Sequence, residues 1–420
     1  MLKTYFFDHS KRFQQVSVLL VVVIVAGIGT YLLLSSHAAT PYTSITADKG
    51  TLSGGATSKT CSGASNGSCV VFGGTSNTTT KMIGLDGTYS DPAYLSDAQN
   101  LGVQWMRDEQ WGDNTSYVPA CQNATQVSQA TCGVPLVASS MAARGIHMFP
   151  LVNDYGTSWV TAAGRQQWVD QIVHTATTYA KGGTFWQGKT DYGSPVIEVG
   201  NEVYGSWYNW PDQGWKYPGD YALMLQQAAI AVNSATNGRI KLLASELPLY
   251  DAPDGTQHYW LKDMQAAVPN IESYLGGVVS HPYGDVPPDG SFPGVCTSTN
   301  TSPCPPNTPV QDWTYQQLAE VHKEWSIPVY VTEVGQKAAS TTWGNKQVGY
   351  VNQCLALNYY YDQLKSNSWE AGVFWYNQKD YQAFDPNADN GWALIDNNVY
   401  RKPAWYAYQA QALNRPQYNC

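Results

Sequence analysis

Two glutamates in this 420-residue chain each close an apolar run. Glu202 ends Pro195-Val196-Ile197-Glu198-Val199-Gly200-Asn201-Glu202, where Gly200 permits close backbone approach and Asn201 sets an amide beside the carboxyl. Glu333 ends Ile327-Pro328-Val329-Tyr330-Val331-Thr332-Glu333. Two carboxyls can cleave a C–O bond when one is protonated and donates to the leaving oxygen while the other is ionised and attacks. Their environments must therefore push the two pKa values apart. A separation of about 5 to 5.5 Å gives covalent attack and retention, whereas about 6.5 to 9.5 Å admits a water and gives inversion. A single acidic residue on a rim is ordinarily solvated surface, and that is the reading for Glu246, Asp154 and Glu109.

Something must hold those two glutamates together. From Lys81 onward short apolar runs alternate with helical stretches, the pattern of repeated βα units. The candidate strands are 82–85, 103–106, 147–152, 196–199, 240–244, 277–280, 329–332 and 372–375. Between the third and fourth, Trp168, Ile172, Ala176 and Tyr179 recur at helical spacing within 168–180. Further helices are expected over 222–232 and 315–325. Eight strands with helices between them predict an α/β fold, a closed (β/α)8 TIM barrel. An open doubly wound sheet is the alternative, but Gly84-Leu85-Asp86-Gly87 lacks the Gly-x-Gly-x-x-Gly phosphate turn expected there.

In such barrels the active site forms at the C-terminal strand ends. In order these ends offer Asp86; Arg107, Asp108 and Glu109; Asn153 and Asp154; Asn201 and Glu202; Glu246; His281 and Tyr283; Glu333; and Trp375, Tyr376 and Asn377. Asn-Glu at the fourth strand, His281-Pro282-Tyr283 at the sixth, Glu at the seventh, Trp375 at the eighth, and the tail Asn390-Gly391-Trp392 to Lys402-Pro403-Ala404-Trp405-Tyr406 act in combination. Over about residues 81–415 the chain resembles the clan A glycoside hydrolases, retaining barrel enzymes that include endoglucanases, β-mannanases and β-xylosidases. The resemblance implies that Glu202 is the acid/base and Glu333 the nucleophile. It implies that Asn201 holds a sugar 2-hydroxyl, Tyr283 hydrogen-bonds the nucleophile, Trp375 floors the cleaved sugar, and His281 and Arg107 orient the pair. It implies no cofactor and no metal. Asp385, Asn387 and Asp389 alternate as in a calcium loop, but Asn390 stands where glycine is required and no closing Glu follows, so a turn is expected.

The remaining features set the surroundings. The chain carries 16 Trp and 29 Tyr, more aromatic surface than a core requires, which suits an oligosaccharide or polysaccharide groove. Tyr204, Trp207, Tyr208, Trp210 and Trp215 after Glu202 either stack on sugars or pack their loop. A net charge of −9 disfavours nucleic acid as a partner. Lys3, Lys11 and Arg12 precede an uncharged apolar run from Val16 to Leu34, long enough for a membrane anchor with the N-terminus inside. Ser36 and Ala38 offer a cleavage pattern, so residues 1–40 are an anchor or a signal, and either leaves the rest outside. Residues 41–80, rich in Gly, Ser and Thr, form a spacer or small β element, and 81–420 the barrel. Cys61/Cys69, Cys121/Cys132, Cys296/Cys304 and Cys354/Cys420 suggest four disulfides in an oxidising compartment. A monomer is expected. An inactive carbohydrate-binding barrel and a glycan-remodelling transglycosylase are the competing functions.

Overall fold

The computed structural model describes residues 56–60, 68–72, 81–86, 92–110, 134–154, 156–203, 216–245, 250–251, 257–258, 260–282, 322–323, 325–338, 346–380, 383, 385 and 391–420. The chain divides into two compact units, Met1–Asn77 and Thr78–Cys420. In the first, strands Ala56–Thr60 and Ser68–Phe72 pair antiparallel, with Ala56 opposite Phe72. The expected anchor or signal at 1–40 lies outside the described residues, among which no helix is long and apolar enough to cross a membrane.

The second unit is a closed barrel. Its strands are β1 (Met82–Asp86), β2 (Trp105–Gln110), β3 (His147–Val152), β4 (Val196–Val199), β5 (Lys241–Ser245), β6 (Leu275–Ser280), β7 (Val329–Val334) and β8 (Glu370–Tyr376). Each pairs in parallel with its sequence neighbours, and β8 returns to β1 through Tyr376 opposite Asp86. All eight expected strands are present, two with the expected bounds. The second begins at Trp105 rather than Val103, because Val103 closes the preceding turn by donating its N–H to the Ala98 carbonyl.

Among the described residues the helices are α1 (Pro92–Leu101), α2 (Val134–Ala142), α3 (Ala162–Thr178), α4 (Pro218–Thr236), α5 (Trp260–Ala267), α6 (Lys346–Ser366) and α7 (Pro403–Ala412). The predicted 168–180 helix starts earlier because the Thr161 hydroxyl caps it, accepting from the Gly164 N–H. In α4, Pro218 supplies a preset φ at the start, and Asn237 ends the helix in the left-handed conformation. Most of the expected 315–325 helix lies outside the described residues.

Alternation along the strands makes two cores. Inside the barrel, Met82, Phe149, Val196, Leu243, Val279, Tyr330 and Phe374 form an apolar plug. Phe149 and Phe374 lie 4.7 Å apart between ring centres. Gly84 makes room for this pair, since a methyl there would meet the Phe374 ring at 2.3 Å. Outside, Leu85, Met106, Ile197, Leu242 and Val331 pack against the helices. The disulfide Cys354–Cys420 ties α6 to the C-terminus. The other three cysteine couples include side chains outside the described residues.

Candidate active site

A charged layer lies above the apolar plug. Met82 and Phe374 point into the barrel, so a period of two turns Asp86 and Tyr376 inward as well. On β4 the same parity aims Glu198 inward above Val196.

Arg107, 3% exposed, joins this layer together. Its Nε donates to Glu198 Oε2 at 2.7 Å and its Nη2 to Glu198 Oε1 at 2.7 Å, a bidentate clasp. The same Nη2 donates to Asn201 Oδ1 at 2.7 Å. The remaining arm, Nη1, is shared between Glu333 Oε1 at 2.6 Å and Asp86 Oδ1 at 3.1 Å. Burial disfavours the guanidinium charge, but Glu198, Asp86 and Glu333 outweigh it and hold the Arg107 pKa well above its ordinary value.

Glu202 reaches the layer through a sharp turn. Gly200 has φ 78° and Glu202 φ 45°, two left-handed residues on either side of Asn201. Such a conformation costs a non-glycine residue about 1–3 kcal/mol and is retained where the surroundings enforce it. The Tyr221 hydroxyl anchors the turn, donating to the Val199 carbonyl at 2.5 Å and accepting from the Ser245 N–H at 2.9 Å. His281 shares a hydrogen bond between Nδ1 and Glu202 Oε1 at 2.9 Å, and its Nε2 lies 3.1 Å from Thr332 Oγ1. Burial pulls the His281 pKa down, but Glu333 and Glu202 more than compensate and leave it raised.

Glu333 escapes simple alternation. Tyr330 points into the barrel, which by parity would turn Glu333 outward. The ladder between β7 and β8 shifts register between Val331 and Val334. This irregularity re-aims the carboxyl inward. One oxygen each of Glu202 and Glu333 and one nitrogen of His281 lie within 4.8 Å of one another. A metal ion could span that distance, but the Arg107 bond and the His281–Glu202 bond already engage these groups. The two carboxyls are unequal: Glu333 is 13% exposed and bound to arginine, whereas Glu202 is 21% exposed and bound to histidine. Burial pushes the Asp86 carboxyl up, to about 8, against the pull of Arg107.

Of the residues expected from sequence, Glu202, Glu333, Asn201, His281 and Arg107 come together. Trp375 does not join them. It has no exposed surface and packs between barrel and helices, because the inward turn of Phe374 sends Trp375 outward. Half-buried Tyr376 takes the barrel-side position. Tyr283, Glu246, the side chains of Asp108 and Glu109, most of the calcium-like stretch and the loop aromatics at 204–215 lie outside the described residues. Asn153 is buried. Asp154 caps a turn through Gly156 N at 2.8 Å. Glu198 and Thr332 were not expected at the site, although strand parity marks both.

No protein-family model matches the chain, and no curated protein matches it. Solved structures share its fold. One of two fungal β-1,4-galactanases is 12% identical with a TM-score of 0.52, over 78% of this chain and 98% of that one. A glucosidase from Croceicoccus marinus is 13% identical with a TM-score of 0.50, over 80% and 66%. A family 39 glycoside hydrolase from Bacteroides cellulosilyticus WH2 is 16% identical with a TM-score of 0.49, over 79% and 64%. The chain thus spans slightly under two thirds of the length of the last two. At these identities the likeness is one of fold: the chain has a barrel of the kind found in the galactanase and the glucosidase.

Proposed function

We propose that this barrel is a glycoside hydrolase of the clan A kind, cleaving β-linked glycans with retention. The observation that carries the reading is the unequal pair: Glu333 held by Arg107 Nη1 at 2.6 Å, and Glu202 facing it with an oxygen within 4.8 Å. An adjacent guanidinium favours the ionised form of a carboxyl, as a nucleophile requires. The nearest oxygens of the two carboxyls lie close enough to flank one reacting carbon, and retention is the outcome proposed for such a closely set pair.

In the first step a Glu333 oxygen attacks the anomeric carbon, the glycosidic C–O bond breaks, and the leaving oxygen takes the proton of Glu202. In the second, water attacks the glycosyl ester while Glu202 takes the water's proton, and the Glu333 carboxylate is regenerated. Arg107 fixes the Asn201 side-chain oxygen and so orients the amide beside Glu202, where the resemblance sets it against a sugar 2-hydroxyl. His281, bonded to Glu202, orients the acid.

The reading also sets the barrel outside the cytoplasmic membrane. The basic flank and apolar run at the N-terminus support this, as does the Cys354–Cys420 disulfide, which suits an oxidising compartment. The test is hydrolysis of a panel of β-glucan, β-mannan, xylan, galactan and aryl β-glycosides by the full-length chain, beside Glu202→Gln and Glu333→Gln. Activity on one class, lost in both variants, is the expected result. Binding without turnover on every member would replace the enzyme with a carbohydrate-binding barrel.

A further inference from the structure

The guanidinium of Arg107 has three arms, and two are occupied independently of the reacting pair. Nε and Nη2 are taken by both oxygens of Glu198, a residue with no exposed surface. Only Nη1 meets Glu333, and it meets Asp86 as well. Covalent attack would convert the Glu333 carboxylate into a neutral ester. Nη1 would then face one ionisable partner.

Resting on the retaining reading, we propose that Asp86 is a positioning residue that exchanges charge with Glu333, becoming the ionic partner of Arg107 Nη1 while Glu333 carries the glycosyl group. Burial holds the proton on Asp86, and three facing groups adjust that balance. Arg107 on β2 favours its charge, as does His281 beyond β6, and Glu333 on β7 opposes it. Its register neighbour on β8, Tyr376, is a neutral phenol. With Glu333 ionised, burial and the neighbouring negative charge keep the proton on Asp86 at neutral pH, consistent with its rise to about 8. Esterification removes that negative charge and leaves the guanidinium in place, so the Asp86 proton departs to solvent. Hydrolysis of the ester restores the Glu333 carboxylate, and Asp86 takes a proton back. The charge around Arg107 is the same in both states, so neither step leaves a buried guanidinium arm without its counter-charge.

The experiment traps the intermediate and counts protons. The full-length chain carrying Glu202→Ala, in mild detergent, is treated with 2,4-dinitrophenyl 2-deoxy-2-fluoro-β-glycosides of the gluco, galacto, manno and xylo series. The dinitrophenolate leaving group takes no proton, and the missing Glu202 contributes none. Intact mass and peptide mapping locate the adduct, and an indicator dye in weak buffer near pH 6.5 reads the release. His281 also faces Glu333, but its share is common to both chains compared.

The parent should release about one proton more per adduct than the same chain with Asp86→Asn. Should Asp86→Asn fail to fold, Asp86→Ser, also uncharged, takes its place. Equal proton counts with the adduct on Glu333 would overturn the exchange and leave retention standing. No adduct on Glu333 with any of the four probes would remove the covalent reading, and the exchange with it.

Discussion

Two layers of one barrel, two to four residues apart along their strands, are built oppositely. The lower layer, Met82, Phe149, Val196, Leu243, Val279, Tyr330 and Phe374, is apolar and close-packed. The upper, Asp86, Arg107, Glu198, His281 and Glu333, gathers three carboxyls from β1, β4 and β7 on one guanidinium. A two-residue period makes the change abrupt: Met82 and Asp86, or Val196 and Glu198, share a strand face yet belong to different layers. Removing atoms from the lower layer should cost stability, and removing charge from the upper should cost chemistry. Buried ion pairs contribute little net stability against apolar packing, so on the proposed function the upper layer is kept for its chemistry.

The largest separation is expected from Glu333→Gln. Steady-state hydrolysis should fall by about 10⁴-fold or more while thermal unfolding stays near that of the parent. Equal losses of stability and activity would merge the two layers into one structural unit. The reverse comes from Phe374→Ala, which should lose about 3–5 kcal/mol in denaturant unfolding. Its folded fraction should keep near-parental turnover.

Away from both layers, Cys354→Ser with Cys420→Ser opens a closure of 66 residues in sequence. It should cost about 2–4 kcal/mol through a less restricted unfolded chain, read as a lower melting temperature with kcat unchanged.

The smallest effect is a pH dependence. Folding raises the His281 pKa above the roughly 6.5 of an unfolded histidine. The stability it contributes is therefore fully present below about pH 6.5 and lost as pH rises through the raised folded value. The melting-temperature gap between parent and His281→Asn should be widest in acid and narrow towards alkaline pH. A gap that widens as pH rises would contradict the ion-pair account of His281.

Much of this comparison could be read before any coordinates. Short runs rich in Val, Ile and Leu between helical stretches located all eight strands, because a buried parallel strand carries no other pattern. Asn201-Glu202 and Glu333 were visible as polar residues closing apolar runs. Glu198 was hidden by its position inside such a run, where it read as part of the strand. Parity exposes it, since Val196 faces the plug two residues earlier. The same parity separates Trp375 from Tyr376. It fails for Glu333, where the register shift beside Val334 reverses the facing, and no residue pattern announces that shift.

On this mechanism Glu333 and Glu202 retain the anomeric configuration of the sugar they release. Proton NMR of the first product released from the β-glycan that the panel identifies tests it most directly, recorded before mutarotation. The β-anomer should appear first and the α-anomer only on equilibration. An α-anomer formed first would mean that water attacks directly between the two carboxyls, and Glu333 would then be a base rather than a nucleophile.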